Sequence, residues 1–554
     1  MIISLTALGS CSLLPFRLDL QATAPVLDGF GSTTLQPSQI NAKTRPMFAQ
    51  GMAQVYAFNS AEAIRAFKAA LAQDPDCGLC AWGVAYQMGP NINALQRGDL
   101  REAVQYVDYA LAHSATASPR DRALIGALAL RYGHASVARE IAPLQAQVCG
   151  SGSDNRADPL DIAYADHMRQ MADRYPDDPD VLAVYAEAEM VATREDYWDK
   201  QSGKPAGRIG EVASRIEAAL ARHPEHVGLN HYMIHSVDAA QVAARAIAAA
   251  DRLGQLAPKS PHLLHMPGHI FVQVGRYADA TRVNQLAVAA DDAMDLDLSK
   301  QQFLPTKDWR IHNRHFQWYS ALMEGRSEVA LATAQAAAAH ATFDHEYFEY
   351  MRSLPMLTLL HFQRWDALLK QPLPSGKQGM AIVLGEMAQG IAMAHQGRIA
   401  EAHAALARLE PAAQLILSKH PGTRNIDKQA RSLINSSRLQ LQAALALAER
   451  RGDEALARQA QAVESATEAD TSEPPMLAGG PRLRLGAMQV QAQQPTAAEA
   501  SFRAELAFHP ASGWALQGLR EALRAQGKQL EMTAVQVELE RSWAVADAQL
   551  RELR

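Results

Sequence analysis

Aromatic side chains are scarce, at 6% of 554 residues. Ala, Leu, Gln, Glu and Arg fill long stretches instead, which disfavours an all-β fold and favours helices. Cysteine is scarcer still, and four in the whole chain exclude a disulfide-built scaffold. No run of 18 apolar residues occurs, so no internal transmembrane helix is expected. A basic excess is also missing. With 53 basic and 59 acidic residues the net charge is −6, which argues against nucleic acid as a partner. The common catalytic motifs are absent as well. His345-Glu346 is followed by Tyr347 and Phe348 with no second histidine, and there is no GxSxG, Walker loop or dinucleotide-binding fingerprint.

What is present is a folded composition, 48% hydrophobic and 20% charged. Residues 1–16 (MIISLTALGSCSLLPF) carry no charge and read as the apolar part of an export leader, without the usual basic start. Leu8-Gly9-Ser10-Cys11 is similar to a lipoprotein lipobox, in which Cys11 would carry a lipid anchor. The expected location is therefore periplasmic or membrane-anchored, with a cytoplasmic location if the leader reading fails. Residues 17–45, rich in Thr, Pro, Gly and Gln, read as a linker.

From residue 46 onward the chain repeats itself. FAQGMAQVYAFNSAEAIRAFKAALAQDPD (48–76) has the pattern of a helical hairpin, with Ala63, Phe67 and Ala70 on one face of its second helix and Pro75 past its end. The segments 275–291, 325–338, 397–411 and 495–510 repeat the theme of a turn followed by small residues at helical spacing. One such hairpin cannot bury its apolar face alone, so neighbours must stack. The expected fold is all-α, a tetratricopeptide-like α-solenoid spanning 46–554, with histidines along a concave groove. Residues 150–156 and 468–481 are the clearest breaks.

Seven of the 19 histidines fall between residues 231 and 315. They form His231-Tyr-Met-Ile-His235, His262-Leu-Leu-His265-Met-Pro-Gly-His269 and His312-Asn-Arg-His315. Spacings of three and four share a helix face. His231 to His265 and His235 to His269 are both offsets of 34 residues, the tetratricopeptide period. His262 and His265 lie 13 and 10 residues before Gly275, as His312 and His315 do before Gly325. Tyr319 then stands where His269 stands in the preceding repeat.

Three successive first helices thus bring imidazoles to matching heights. Imidazole suits copper, zinc, iron and nickel, and seven exceed the ligands of one zinc, so a dinuclear centre is expected. The lack of carboxylates favours copper, with zinc or iron as alternatives. Asp238, one turn after His235, is placed to orient an imidazole. Glu187 and Glu189 are candidates for ligand or general base, and Asp238 and Tyr319 join Glu187 as catalytic candidates. Met266 is a soft donor, although a buried methionine is more often core. Cys77-Gly-Leu-Cys80 reads as a pair of buried thiols, and Cys149 has no sequence-evident partner. The aromatic runs 196–199 and 315–319 either wall a small-molecule pocket or pack helices.

The chain resembles a bacterial family of long tetratricopeptide proteins in QGMAQVYAFNSAEAIRAFKAAL (50–71), DPDCGLCAWGVAYQMGPNIN (74–93), YAEAEM (185–190), NHYMIHSVDAA (230–240), HLLHMPGHIFVQVGRYADA (262–280) and SGWALQGLREALRAQGK (512–528). The resemblance covers most of the chain and is strongest in the NHYxIH and HMPxHI motifs, here His231, His235, His265 and His269. Family members often have glutamate where this chain has Asp238. The resemblance implies the fold and names no reaction.

Two function classes follow. One is a metal-dependent enzyme acting on a small organic substrate, with oxidation on copper favoured over hydrolysis on zinc. The other is a scaffold whose groove binds a peptide or partner protein. Metal delivery by the same histidines is a third use. Convergent imidazole nitrogens would mark a metal site, whereas histidines spread along a groove would mark a peptide site.

Overall fold

The computed structural model describes residues 17–95, 99–137, 157–194, 197–199, 202–305, 308–470, 472–478 and 480–552. The leader with Cys11, Cys149 and the first expected break, residues 150–156, lie outside them. Among the described residues the chain is all helical, with two isolated bridges and no strand. None of the described helices is long and apolar enough to cross a membrane. The chain divides into two compact units. One comprises residues 1–28 and 32–194, the other residues 29–31 and 195–554.

In the first unit, Arg45–Tyr56 and Ser60–Gln73 form the expected hairpin, which ends before Pro75. Phe67 holds it to the next helix, Gly78–Met88. It lies sixteen residues after Gly51 and sixteen before Gly83. A Cβ added at either glycine would meet the Phe67 ring at 2.6 or 2.7 Å. Three helices can therefore close on one aromatic ring only because two of them lack a side chain there. The second unit repeats this device. Phe502 on Pro495–Phe508 packs against Gly486 and Gly518, again sixteen residues to either side. This recurring small–aromatic–small packing makes the chain a tetratricopeptide-like stack of hairpins. The turns agree. Gly275, Gly325 and Gly397 sit at φ of 76°, 71° and 73°, where a left-handed residue lets the first helix stop and the second begin.

Residues 17–44 form no helix or strand, yet they are fastened along much of their length. Leu27 N donates to Gln50 Oε1 (2.9 Å), Thr33 Oγ1 to Asp180 Oδ1 (2.7 Å), Ser38 N to Asp121 Oδ2 (2.6 Å) and Asn41 N to Asp74 Oδ2 (2.7 Å). Leu35 is buried beneath them. Cys77 and Cys80 are joined as a disulfide rather than left as thiols. Cys77 caps Gly78–Met88, and a first-turn spacing of three brings the two Cα atoms to 5.3 Å, within bridging reach.

Candidate metal centre

Six of the seven expected histidines meet in the second unit as two groups of three: His231, His235 and His262; and His265, His269 and His312. Within each group the ligand atoms lie within 4.8 Å of one another. The groups adjoin, with ring centres 6.5 Å apart for His235 and His269 and 6.2 Å for His262 and His265. His231, His262, His265 and His269 are buried, so these rings do not line an open surface.

Local sequence places them. His226 caps Val227–Ser236 by accepting from Leu229 N (3.0 Å), which starts the helix carrying His231 and His235. Ser260 and Pro261 start the helix that carries His262 and His265, Pro261–His265. That helix breaks at Met266 and resumes as Pro267–Gln273. The break falls between His265 and His269, and Met266 is fully buried at it. His262 and His265, three residues apart on one short helix, diverge: His262 joins the pair on Val227–Ser236, while His265 and His269 form a group with His312 from Arg310–Met323.

In the first group, His231 Nε2 is 3.0 Å from His235 Nε2 and 3.2 Å from His262 Nε2. A neutral imidazole nitrogen offers one proton or one lone pair in the ring plane. One His231 nitrogen cannot align well with two such neighbours by hydrogen bonding alone.

The second group is more tightly specified. His265 Nδ1 lies 2.7 Å from Asn284 Oδ1, and Asn284 Nδ2 donates to the Ala280 carbonyl at 2.8 Å. That second bond turns the amide oxygen toward His265, so the His265 proton sits on Nδ1. His269 Nδ1 donates to Asp238 Oδ2 at 2.7 Å, with Glu473 Oε2 at 3.5 Å. Both protons are thus committed away from the centre. The two Nε2 atoms then face each other, lone pair to lone pair, at 2.9 Å. That arrangement requires a cation between them: a proton, which makes one ring imidazolium, or a metal ion.

The glycine of the HMPGH motif is explained here. A Cβ on Gly268 would sit 2.7 Å from Asn284 Nδ2, so only glycine lets the orienting amide approach. Aromatics close the site. Phe316 lies 4.7 Å from the His265 ring and 4.5 Å from that of His269, and Trp309 stacks on His262 at 4.4 Å.

Burial, and then the neighbouring imidazoles, hold His235 and His265 well below the ordinary histidine value. Burial acts the same way on His269, but Asp238 and then Glu473 outweigh it and raise its pKa. Neutral rings with an anchored Nδ1–H are the form in which histidine binds metal.

His315 stands outside both groups. Its Nε2 is 3.1 Å from the Tyr350 hydroxyl, whose own proton goes to the Met476 carbonyl at 2.9 Å. The nitrogen must therefore donate, and it has no lone pair for a metal. Arg310–Met323 is continuous here, and three residues along an ideal helix leave a divergence of roughly 60° between His312 and His315. The 13-and-10 spacing before the glycine thus does not carry over side-chain direction. Tyr319 is buried against Tyr277 and His509, with ring centres 6.3 Å from each. Asp238 does orient an imidazole, that of His269 rather than His235. Glu187 belongs to the first unit, where Tyr86 donates a hydrogen bond to it and burial raises its pKa to about 8. Glu189, also in that unit, is buried and receives a long bond from Thr193 Oγ1 (3.5 Å).

Sequence reasoning missed Asn284, Trp309 and Glu473. Asn284 lies 19 residues from His265 on a different helix, with no periodic relation to any histidine. Glu473 lies in a stretch that reads only as a break.

No protein-family model and no curated protein matches the chain. Among solved structures, it is similar to the APC/C hetero-tetramer Cut9-Hcn1, with 10% identity over 92% of this chain and 89% of that one and a TM-score of 0.26. The P58(IPK) TPR domain gives 11%, 88%, 99% and 0.21 in the same order. Yeast Tom70 gives 12%, 92%, 93% and 0.27. Scores this low say nothing further about this chain, and its fold class rests on its own helices.

Proposed function

We propose that the second unit is a helical scaffold for a two-metal histidine centre, with His231, His235 and His262 holding one ion and His265, His269 and His312 the other. The observation that carries this reading is the pair of Nε2 atoms of His265 and His269. They face each other at 2.9 Å while both Nδ1 protons are engaged elsewhere. Two ligands at bond lengths of about 2.0–2.1 Å and angles of roughly 90–110° stand about 2.9–3.4 Å apart. The closest Nε2 pairs, at 2.9, 3.0 and 3.2 Å, have that spacing.

An all-imidazole donor set favours copper, then zinc or iron. Copper bound there would supply electron-transfer chemistry for oxidising a small organic substrate, and zinc would supply activated water. The residues of this chain would fix the ring tautomers through Asn284 and Asp238, and Phe316 and Trp309 would shield the site from solvent.

The test is elemental mass spectrometry of the purified chain beside His235→Ala/His269→Ala. The expected result is roughly two metal ions per wild-type chain, most of them lost in a variant that keeps its helical signal. A wild-type chain free of metal, even after incubation with copper, zinc and iron, would sink the reading. The fold class alone supports a second use, docking a peptide or partner protein, as stacked hairpins commonly do. The same measurement separates the two, since docking needs no metal.

A further inference from the structure

A second feature of the same unit is independent of the metal reading. Trp318, Leu360, His361, Met387, Met476 and Arg484 are among the residues lining a small, partly open cavity. The lining is mostly apolar, with a few polar groups, which is the usual make-up of a small-ligand site.

Two of the polar groups are short of strong partners. The described hydrogen bond of the Arg484 guanidinium runs from Nη1 to Gln440 Oε1 at 3.2 Å, to a neutral amide. Burial lowers its pKa to about 10. The neighbouring carboxylate, Glu505, is already engaged at both oxygens, by Arg482 (2.9 Å) and by His509 (2.6 Å). The second group is His361. Its Nε2 is buried with no hydrogen-bond partner among the described residues, and its ring packs edge-on against Trp514 at 4.8 Å. Burial, and then the nearby Arg484 charge, push its pKa down to about 4, so the ring is neutral.

A half-buried cation facing only a neutral amide and an orphaned buried ring nitrogen both leave interaction unmade. A carboxylate satisfies both. Its two oxygens match the guanidinium fork, and the Nε2–H tautomer of His361 can donate to one of them. The Leu, Met and Trp walls suit an apolar body behind the carboxylate.

The geometry points to this cavity as a binding site for a small organic carboxylate with an apolar body, anchored by Arg484 and His361.

The site also touches the histidine centre's surroundings. Met476, Leu477 and Ala478 of its wall belong to the segment 472–478 that brings Glu473 to His269. Trp318 of the opposite wall stacks on His315 at 5.8 Å. An occupant would lie one segment away from the proposed metal ions.

The test is isothermal titration of the full chain with benzoate, phenylacetate and hexanoate, with benzamide as the neutral control. It would be run on metal-loaded and on chelator-treated protein. At least one carboxylate should bind in both preparations, with benzamide at least tenfold weaker. Arg484→Gln should weaken that carboxylate at least tenfold, and His361→Phe should weaken it by a smaller factor. Absence of carboxylate binding would overturn the proposal. So would equal binding of benzamide, unchanged binding in Arg484→Gln, or binding that vanishes with the metal. If Arg484→Gln does not fold, the contrast between benzoate and benzamide in the wild type decides. Loss of the metal reading would leave these outcomes unchanged.

Discussion

In the first unit, Arg131 Nε and Asp161 Oδ1 meet at 3.0 Å with both side chains 1% exposed, so a buried charge faces its opposite. Tyr56 donates to Asp180 at 2.5 Å in the same manner. In the second unit, His265 and His269 bury like against like, and their Nε2 atoms stand 2.9 Å apart. The first arrangement pairs its charges as it stands. The second needs a cation. Under the proposed metal reading, the contrast separates a buried polar cluster that pairs its charges internally from one that holds an ion. The first kind pairs opposite charges, whereas the second aims matching lone pairs at one point.

The largest expected effect breaks the first side of this contrast. Arg131→Met strands the Asp161 carboxylate and should cost about 3–5 kcal/mol in chemical denaturation. Metal content should not change, because the histidines all belong to the other unit. Equal losses of stability and metal would erase the distinction.

Chelation probes the second side. Stripping metal from protein held at roughly 100–1,000 times the dissociation constant should remove about 3–4 kcal/mol of linked stability. Hydrogen exchange should rise in Val227–Ser236 and Pro267–Gln273, and stay level in Pro119–Arg131.

A pH series addresses Glu187. Its folded pKa of about 8 lies above the ordinary 4.5. Below pH 4.5 both folded and unfolded chains carry the proton and stability is at its fullest. As pH rises toward 8, the unfolded chain ionises first and stability falls, by an amount on the order of a few kcal/mol. Glu187→Gln should flatten the curve over that window. An unchanged slope would show that Glu187 does not cause it.

The smallest effects refine the metal side. Asn284→Ala removes the acceptor that fixes the His265 tautomer and should weaken metal binding about 10–100-fold, with little loss of helix. Gly268→Ala should act in the same direction, because its Cβ would displace that amide. Full affinity in both variants would mean that the orienting bond is incidental.

Much of this was legible in the sequence. The 34-residue offsets that link His231 with His265 and His235 with His269 reported equivalent helix positions, and the small–aromatic spacing around Phe67 reported the hairpins. Local periodicity carries that information because it fixes which face a residue occupies. It does not fix which of two adjoining clusters each side chain joins, and so could not divide His262 from His265, three residues apart on Pro261–His265. Nor could it show that the Tyr350 hydroxyl takes the Nε2 proton of His315. Asn284 and Glu473 come from other segments and act through single contacts, which leave no period to read. The disulfide of Cys77 and Cys80 likewise depended on how one helix begins.

The central claim is that the facing imidazoles surround metal rather than a shared proton. Anomalous diffraction from crystals of the metal-loaded chain, recorded at the absorption edge of the bound element, tests it most directly. The account predicts one peak in each group, within about 2.0–2.1 Å of the coordinating imidazole nitrogens. A map with no peak there, and His265 and His269 still paired across a proton, would contradict it.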